Sequence, residues 1–366
     1  MNWELGSLTE RWVALQTLPG PRYGSAALTR QVATGTTRDP HWIVTGDSAR
    51  WWFLHRLAGR TDGWSATALR SLLPPARPAA LHAHFGPVAW AHRRLAQRLD
   101  AALIAAFYGA DACSAEFLDS ATWRRRYRRL FDTVDAVLAE GPSMAERITA
   151  LGCAPEKVHV VRLPADENSL TRLSWAPPKD RFRIVAGARF TEKKGLDTAI
   201  ASFARGLRDK RDAELVLLGG GELEAELRHL SRSLGVADRV IFPGLLPYGE
   251  FMDVFAAAHV GVFPSRTAAN GDSEGGAPVT LIEASWIGVP SVVSDHDDLP
   301  FIAGPERSIV ISNATVDEWA GVLRELYADR ARLLELSQAA APFVREHHSP
   351  RKNAMERERI YDEVAA

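Results

Sequence analysis

Three stretches of the sequence carry residue types suited to holding an anionic ligand or a polar substrate. In Val185-Ala-Gly187-Ala188-Arg189-Phe-Thr-Glu-Lys193-Lys194-Gly195 an apolar run ends at a glycine, an arginine and two lysines follow, and a helical pattern begins near Gly195. The carboxyl edge of a strand is where α/β sheets bind ligands, and a basic pair there suits a diphosphate. Lysine is scarce in this chain, six of the 44 basic residues (157, 179, 193, 194, 210 and 352), so a lysine beside a Gly-rich turn is more informative than an arginine. A solvated helix start is the competing reading of Lys193-Lys194, but the helix dipole favours acidic residues there.

The second stretch, Asn270-Gly-Asp-Ser-Glu274-Gly275-Gly276-Ala277-Pro278-Val-Thr-Leu-Ile-Glu283, leads a Gly-rich loop into an apolar helix with proline in its first turn. Free backbone N–H groups at such a helix start form an anion site, and glycine permits close approach. Glu283 falls more than a turn into that helix, between Ile282 and Ala284, where a carboxylate needs hydrogen-bond donors. Ribose hydroxyls are suitable donors. Glu274 stands ahead of the glycines. The third stretch, His82-Ala-His84-Phe85-Gly86, puts two histidines at a strand end; alone, such histidines are more often satisfied core or surface groups.

The elements that must position these residues follow from periodicity. From about residue 180, short β-rich runs (Phe182 to Gly187, Ala213 to Gly219, Val240 to Phe242, Val260 to Phe263, Pro290 to Ser294, Ser308 to Ser312) alternate with helical patterns. Leu196, Ile200, Phe203 and Leu207 recur at helical spacing, as do Leu223, Leu227, Leu230 and Leu234 ahead of Gly235. An earlier α/β series has candidate strands at Trp42 to Thr45, Ala79 to His82, Ala102 to Phe107, Ala136 to Ala139 and Val158 to Leu163. Its first forty residues offer no clear opening strand, and Trp12, Leu15 and Leu18 predict that the chain opens on a helix. The stretch from Leu170 to Arg181 contains Pro177-Pro178 and reads as the linker, with a boundary near residue 172 and a cleft between two domains.

Composition sets outer bounds. The 366 residues are 46% hydrophobic and 24% charged with a formal net charge of −1, which excludes a disordered, collagen-like or bulk nucleic-acid-binding chain. Cys113 and Cys153 stand apart from any C-x-x-C or Cys/His cluster, which argues against zinc and a disulfide scaffold. The N-terminus lacks a basic-then-apolar leader and no stretch approaches about 18 uninterrupted apolar residues, so a soluble cytoplasmic protein is expected. In Trp123-Arg-Arg-Arg-Tyr127-Arg-Arg-Leu130-Phe131, a helix would gather the aromatic and apolar residues on one face and arginines elsewhere. An ordinary solvated face is the favoured reading, a membrane-surface or anionic-acceptor contact the other. Pro350 to Val364 reads as an amphipathic helix around Met355, Ile360 and Tyr361.

Taken in order, these stretches resemble glycosyltransferase family 4, the retaining enzymes that use nucleotide sugars and have the GT-B fold, two Rossmann-like α/β domains with parallel sheets facing a central cleft. The likeness covers residues 180 to 300 well and 79 to 166 less fully. It implies domains at 1–171 for the acceptor, with the opening strand absent, and 172–346 for the donor, with a 347–366 helix returning to the first. The family's Gly-Arg-x(4)-Lys-Gly clamp is similar to Gly187-Ala188-Arg189 through Lys194-Gly195, with one residue inserted, which assigns Arg189 and Lys194 to the donor diphosphate. The family's Glu-x(7)-Glu appears with eight residues between Glu274 and Glu283. By resemblance Glu274 contacts the donor sugar, the backbone of Gly275, Gly276 and Ala277 with Pro278 holds sugar and phosphate, and Glu283 binds ribose. Leu218-Gly219-Gly-Gly-Glu222 resembles the family's Gly-x-Gly turn, and Leu245-Leu246 the nucleobase segment.

In the first domain His82, His84 and Phe85 resemble the family's His-x-His-Phe stretch. The family's His-Gly-x-Asp here reads Tyr108-Gly109-Ala110-Asp111, so Tyr108 replaces the histidine, as in the exopolysaccharide and colanic-acid-type branch. Tyrosine donates a hydrogen bond but is not cationic near neutral pH. The resemblance counts Tyr108 and His84 among catalytic residues and puts Gly109 and Asp111 on the acceptor side. It implies no cofactor beyond the nucleotide-sugar co-substrate, a saccharide, lipid-linked or natural-product acceptor, no nucleic-acid partner, and peripheral contact with the inner membrane face as an option. Asp295-His296-Asp297-Asp298 contains an Asp-x-Asp metal pattern, but no metal site is expected there because Arg189 and Lys194 would neutralise the phosphates. A sugar-nucleotide epimerase and a non-catalytic nucleotide-sugar-binding subunit are the rival readings. A dehydrogenase is poorer, since Gly219-Gly-Gly221 does not make G-x-G-x-x-G.

Overall fold

A computed structural model describes residues 4–5, 11–16, 21–23, 27–29, 31–32, 42–44 and 78–365 apart from 313–314. The chain divides into two compact units, Met1–Pro164 with Pro350–Ala366, and Ala165–Ser349.

In the first unit β1 (Glu4–Leu5) pairs in parallel with β3 (Gln31–Val32), and β2 (Ala27–Thr29) with β4 (Trp42–Val44). The first described element is therefore a short strand, and the predicted helix follows it at Arg11–Leu15. Two-residue strands are held by their pairing and leave no periodic signal for a sequence to show. Leu18 and Thr45 lie outside the described residues. The main sheet runs β5 (Ala80–His84), β6 (Ala102–Phe107), β7 (Ala136–Ala139), β8 (Val158–Val160), all parallel and in that spatial order. Strand β8 ends short of Leu163, although the Val161 amide still donates to the Ala139 carbonyl at 2.8 Å.

Both faces of this sheet are covered, as parallel strands require. On one, helices Gly86–Leu99 and Ala121–Thr133 pack with Tyr127, Leu130 and Phe131 buried, together with Cys113 and Cys153, which are free thiols. On the other, helix Pro350–Ala365 places Ile360 against Ile104, Ala106 and Leu138. Met355 is 48% exposed, so the buried stripe of that helix runs through Ile360 and excludes the expected Met355.

The second unit is a six-stranded parallel sheet of β9 (Phe182–Gly187), β10 (Ala213–Leu218), β11 (Val240–Gly244), β12 (Val260–Phe263), β13 (Ser291–Ser294) and β14 (Ile309–Ile311), with spatial order β11-β10-β9-β12-β13-β14. Leu196, Ile200, Phe203 and Leu207 of helix Leu196–Leu207 are all buried on it, with Leu227 of helix Glu224–Ser233. The order reverses between β9 and β12, and loops leaving the carboxyl ends of strands that flank such a reversal diverge and leave a crevice. The expected boundary near residue 172 falls inside this unit: the Trp175 indole donates to the Ala258 carbonyl at 2.8 Å and the Ala176 amide to the Ala256 carbonyl at 2.9 Å, so the predicted linker is packed.

Candidate functional site

The loops that leave β9 and β12 meet at the strand reversal. After β9 the chain makes a 3-10 turn at Glu192–Lys194 and enters helix Leu196–Leu207 through Gly195. Gly195 has φ +62, and a Cβ there would lie 1.9 Å from the Pro264 carbonyl oxygen, so only glycine lets the two loops approach this closely. Gly187, Lys194, Pro264, Ser265 and Pro278 line a small recess at this point.

In that recess the Lys194 ammonium donates to both carboxylate oxygens of Glu274 at 2.7 Å, with side-chain exposures of 14% and 7%. The Ser265 hydroxyl donates to Glu274 at 2.7 Å, and the Ser294 hydroxyl to the Ser265 carbonyl at 2.5 Å. Burial pushes the Glu274 carboxyl up, but Lys194 and the Ser265 hydroxyl outweigh it and hold the group below its ordinary value. Glu274 is therefore an anion at neutral pH, able to accept hydrogen bonds from hydroxyl groups.

Arg189, in the same turn as Lys194, is exposed, and its guanidinium has no ion pair or hydrogen bond among the described residues, although its carbonyl accepts from the Thr191 amide at 2.9 Å. Lys193, the neighbour of Lys194 in sequence, is buried and donates to Asp272 at 3.1 Å and to the Ser273 carbonyl at 2.9 Å. Pro278 is the cap of helix Val279–Ile287, one position outside the first turn where it was expected. Its fixed φ still suits a helix start, and the first amides of the helix point back toward the loop. The Thr280 hydroxyl reaches the Gly187 carbonyl at 3.3 Å, tying this helix to the end of β9.

Glu283 is buried in this helix and accepts from the Tyr248 hydroxyl at 2.7 Å. Tyr248 begins helix Tyr248–Ala256, so it couples Glu283 to the segment just before it, where Leu245 is 77% exposed and Leu246 is half-buried. The Gly275 amide donates to Asp297 at 2.7 Å. Asp297 has φ +48, a left-handed conformation unusual for a residue other than glycine. Gly276 and Ala277 complete the loop between Gly275 and Pro278.

The acceptor-side candidates form a cluster of their own in the first unit. His82 and His84, two residues apart on β5, share a face and stack with ring centroids 4.6 Å apart. His84 hydrogen-bonds the Tyr108 hydroxyl at 2.7 Å, and His82 the Tyr361 hydroxyl at 2.8 Å. The Tyr108 hydroxyl also donates to Gln16 at 3.2 Å. Burial, with Arg357 nearby, lowers His84 to about 3 and, with His84 and Arg357 nearby, pushes His82 well below its usual range. Both rings are thus neutral at physiological pH. Burial raises Tyr108 well above its ordinary value, so its hydroxyl stays protonated.

Asp111 holds the turn before it. Its carboxylate accepts from the Gly86 amide at 2.9 Å and the Tyr108 amide at 2.9 Å, which pins Phe85, at φ 76, and Gly109, at φ 90, on neighbouring strand ends. Burial raises the Asp111 carboxyl to about 6 against those amide contacts. Its geometry makes Asp111 a structural anchor of the Tyr108 turn, since both of its oxygens face backbone N–H groups.

Sequence reading missed Ser265, Asp272, Tyr248 and Asp297. Tyr248 and Ser265 carried no local signal, because each reaches its partner through the fold alone. Asp297 was visible only as part of an Asp-x-Asp pattern. Asp272 was visible inside the Gly-rich stretch.

Comparison with known proteins sets these sites in a wider frame. A model of the Glycosyl transferases group 1 matches residues 169–342, and a model of Glycosyltransferase Family 4 matches residues 24–168. WcaL of Escherichia coli K12, described as a colanic acid biosynthesis glycosyltransferase, is 34% identical over 84% of this chain and 74% of its own length. WcaL of Salmonella typhimurium is 32% identical over 70% of this chain, but the match spans only 61% of that relative. Among solved structures, HepE of Anabaena in complex with UDP superposes with a TM-score of 0.78 at 15% identity, covering 98% of both chains. That likeness shows the fold, GT-B.

Proposed function

From the premise that the chain belongs to glycosyltransferase family 4, we propose that it moves a sugar from a nucleoside-diphosphate sugar to a hydroxyl of a saccharide, lipid-linked or natural-product acceptor, with retention of configuration and without a metal ion. The observation that carries this reading is the buried Lys194–Glu274 pair at the strand reversal of the second unit. It sets a cation suited to a phosphate beside a carboxylate suited to sugar hydroxyls.

Departure of the nucleoside diphosphate leaves an oxocarbenium-like sugar and builds negative charge on the β-phosphate. Arg189, Lys194 and the amides at the start of helix Val279–Ile287 stabilise that charge. Glu274 holds the sugar, with Gly275, Gly276 and Ala277 alongside, and Glu283, oriented by Tyr248, accepts from the ribose hydroxyls. The acceptor hydroxyl attacks the face the phosphate leaves, and a phosphate oxygen takes its proton, so no carboxylate base is needed. In the first unit Tyr108 and His84 act as neutral hydrogen-bonding groups, since burial holds both uncharged. No described helix is long and apolar enough to cross a membrane. The arginine-rich helix Ala121–Thr133, where Arg126 lies 4.6 Å from the Trp123 ring and 6.0 Å from that of Trp90, supports a peripheral contact with an anionic lipid surface.

A donor screen tests the proposal. The protein is mixed with UDP-, GDP-, ADP- and TDP-sugars with and without EDTA, and binding and slow release of the nucleoside diphosphate are followed. Release from one donor class, indifferent to EDTA and lost in Lys194→Ala, is expected, and the anomeric configuration of a transfer product, read by NMR, checks retention. Binding without release, even with acceptors present, would favour a non-catalytic subunit. No binding of any donor would overturn the reading.

A further inference from the structure

We infer that Lys193 and Asp272 are a positioning pair for the sugar-side loop: their half-buried ion pair fixes residues 272–273 so that Glu274 and Gly275 arrive beside Lys194. The inference rests on the proposed role of that loop in donor binding.

Two adjacent lysines in one 3-10 turn repel each other and would ordinarily stay in water. Here both side chains are turned inward, and both end on the same loop: Lys194 on Glu274, Lys193 on Asp272 and on the Ser273 carbonyl. The Lys193 side chain is 7% exposed, and a buried ammonium is retained only where it is paired and hydrogen-bonded. The loop has further ties to the same turn and to the helix after it. The Arg266 amide donates to the Lys193 carbonyl at 2.9 Å, the Ala269 amide to Glu192 at 3.0 Å, and the Arg266 guanidinium to both oxygens of Asp197 at 2.8 and 3.0 Å.

These ties secure the first half of the loop. Ahead of Glu274, the hold on residues 272 and 273 from outside the loop is, among the described residues, the Lys193 ammonium. Within the loop, the Ala268 amide donates to the Asp272 carbonyl at 2.8 Å and the Asp272 amide to the Asn270 side chain at 2.9 Å, so fixing Asp272 fixes the bend as a whole. The ammonium ends on these two acceptors of the loop, and its side chain is 7% exposed against 14% for Lys194. Its effect on donor binding is exerted through the placement of Glu274, and a misplacement of about 1 Å in a binding group costs about 100-fold in rate.

The test is calorimetry with UDP, GDP, UDP-glucose and GDP-mannose on the wild-type protein and on Lys193→Met, Lys193→Arg, Asp272→Asn and Lys194→Ala. For Lys193→Met the affinity for the free nucleotide should stay within about 3-fold, while the affinity for the matching nucleotide sugar falls by about 10–100-fold and the donor KM for hydrolysis rises in step. Lys193→Arg should recover part of the loss, and the Lys193→Met/Asp272→Asn double variant should lose no more than either single one. Asp272→Asn keeps the Ser273 contact and carries the same expectation should Lys193→Met fail to fold. Equal losses for nucleotide and nucleotide sugar, or a smaller active fraction with unchanged affinities, would overturn the inference. If Lys194→Ala abolishes donor binding while Lys193→Met and Asp272→Asn retain it, the positioning role alone fails. If the wild-type protein binds none of the four, the donor-site reading fails and the inference with it.

Discussion

Replacing Lys194 with methionine keeps the length of the side chain and removes its charge, which leaves the Glu274 carboxylate in a site where its side chain is 7% exposed. Among the described residues, the Ser265 hydroxyl is then the side-chain donor that remains to hold it. Breaking a buried ion pair by removing one partner costs about 3–5 kcal/mol. In a domain of this size each kcal/mol moves Tm by about 2–4 °C, so melting should fall by about 6–20 °C. The pH dependence should also change sign at this group. In the wild type the Glu274 carboxyl lies below its unfolded value, so its contribution is present above pH 4.5 and is lost as pH falls through the lower folded value. Without Lys194, burial dominates and raises the folded value; stability is then full below the unfolded value and lost as pH rises. Acidifying from pH 7 to 5 should therefore raise the Tm of Lys194→Met relative to the wild type in differential scanning calorimetry. Adding Glu274→Gln removes the orphaned charge and should restore most of the lost stability, while donor hydrolysis stays at least about 100-fold down because phosphate stabilisation is still missing. A Lys194→Met protein with wild-type Tm and wild-type pH profile would refute the buried pair, and near-normal turnover would refute its role with phosphate.

Glu283→Ala should weaken nucleoside-diphosphate binding by about 10–100-fold in calorimetry, as expected for lost hydrogen bonds to a charged group, and Tyr248→Phe should cause a smaller loss in the same direction. Asp111 contributes stability that is full below its unfolded value of 3.8 and is lost as pH rises through its folded value of about 6. That contribution is about 3 kcal/mol; Asp111→Asn should flatten the Tm profile between pH 4.5 and 7.5, and an unchanged slope would count against it. Exchanging Arg125 and Arg129 for glutamate should reduce co-sedimentation with phosphatidylserine vesicles by about 5-fold per removed positive charge, with binding to neutral vesicles unaffected, if the helix meets lipid.

Legibility in the sequence followed the range of the interaction. Strands β9, β10, β12 and β13 were readable because buried parallel strands are near-continuous apolar runs, and Leu196, Ile200, Phe203 and Leu207 repeat at helical spacing. Glu274, Lys194 and Glu283 stood out because they resemble a known pattern with one residue added in each motif. Their environments were not legible: the separation of Lys193 from Lys194, one buried on Asp272 and the other on Glu274, depends on contacts across about eighty residues of sequence. The same holds for His84, whose neutral state comes from burial and from Arg357 at the far end of the chain. The boundary near residue 172 was misplaced because Pro177-Pro178 signals a chain that cannot continue a helix, not one that leaves the domain; Trp175 is anchored in the second unit.

The residue inserted between Gly187 and Arg189 shows how a departure from a pattern is absorbed. Ala188 continues the β ladder, its amide donating to the Leu218 carbonyl at 3.0 Å, and its carbonyl then points at the next strand end. A Cβ on Gly219 would lie 2.1 Å from that oxygen, and Gly219 has φ +124, so a side chain is excluded at that position on two grounds. The chain is locked further by the Phe190 amide donating to the Gly220 carbonyl and the Leu223 amide to the Phe190 carbonyl, at 2.9 and 3.2 Å. Of the triple glycine, readable from sequence as a ligand turn, Gly219 is thus required by packing against the inserted residue and Gly221, at φ +157 with a Cβ position 2.7 Å from the Phe190 carbonyl oxygen, by packing against Phe190. Arg189 is exposed, while Lys194 is held in the recess. The insertion therefore need not abolish the clamp: the turn after β9 takes up the extra residue at Ala188, and the cost falls on Gly219, where any other residue should disrupt the β9–β10 edge and with it the placement of both cations.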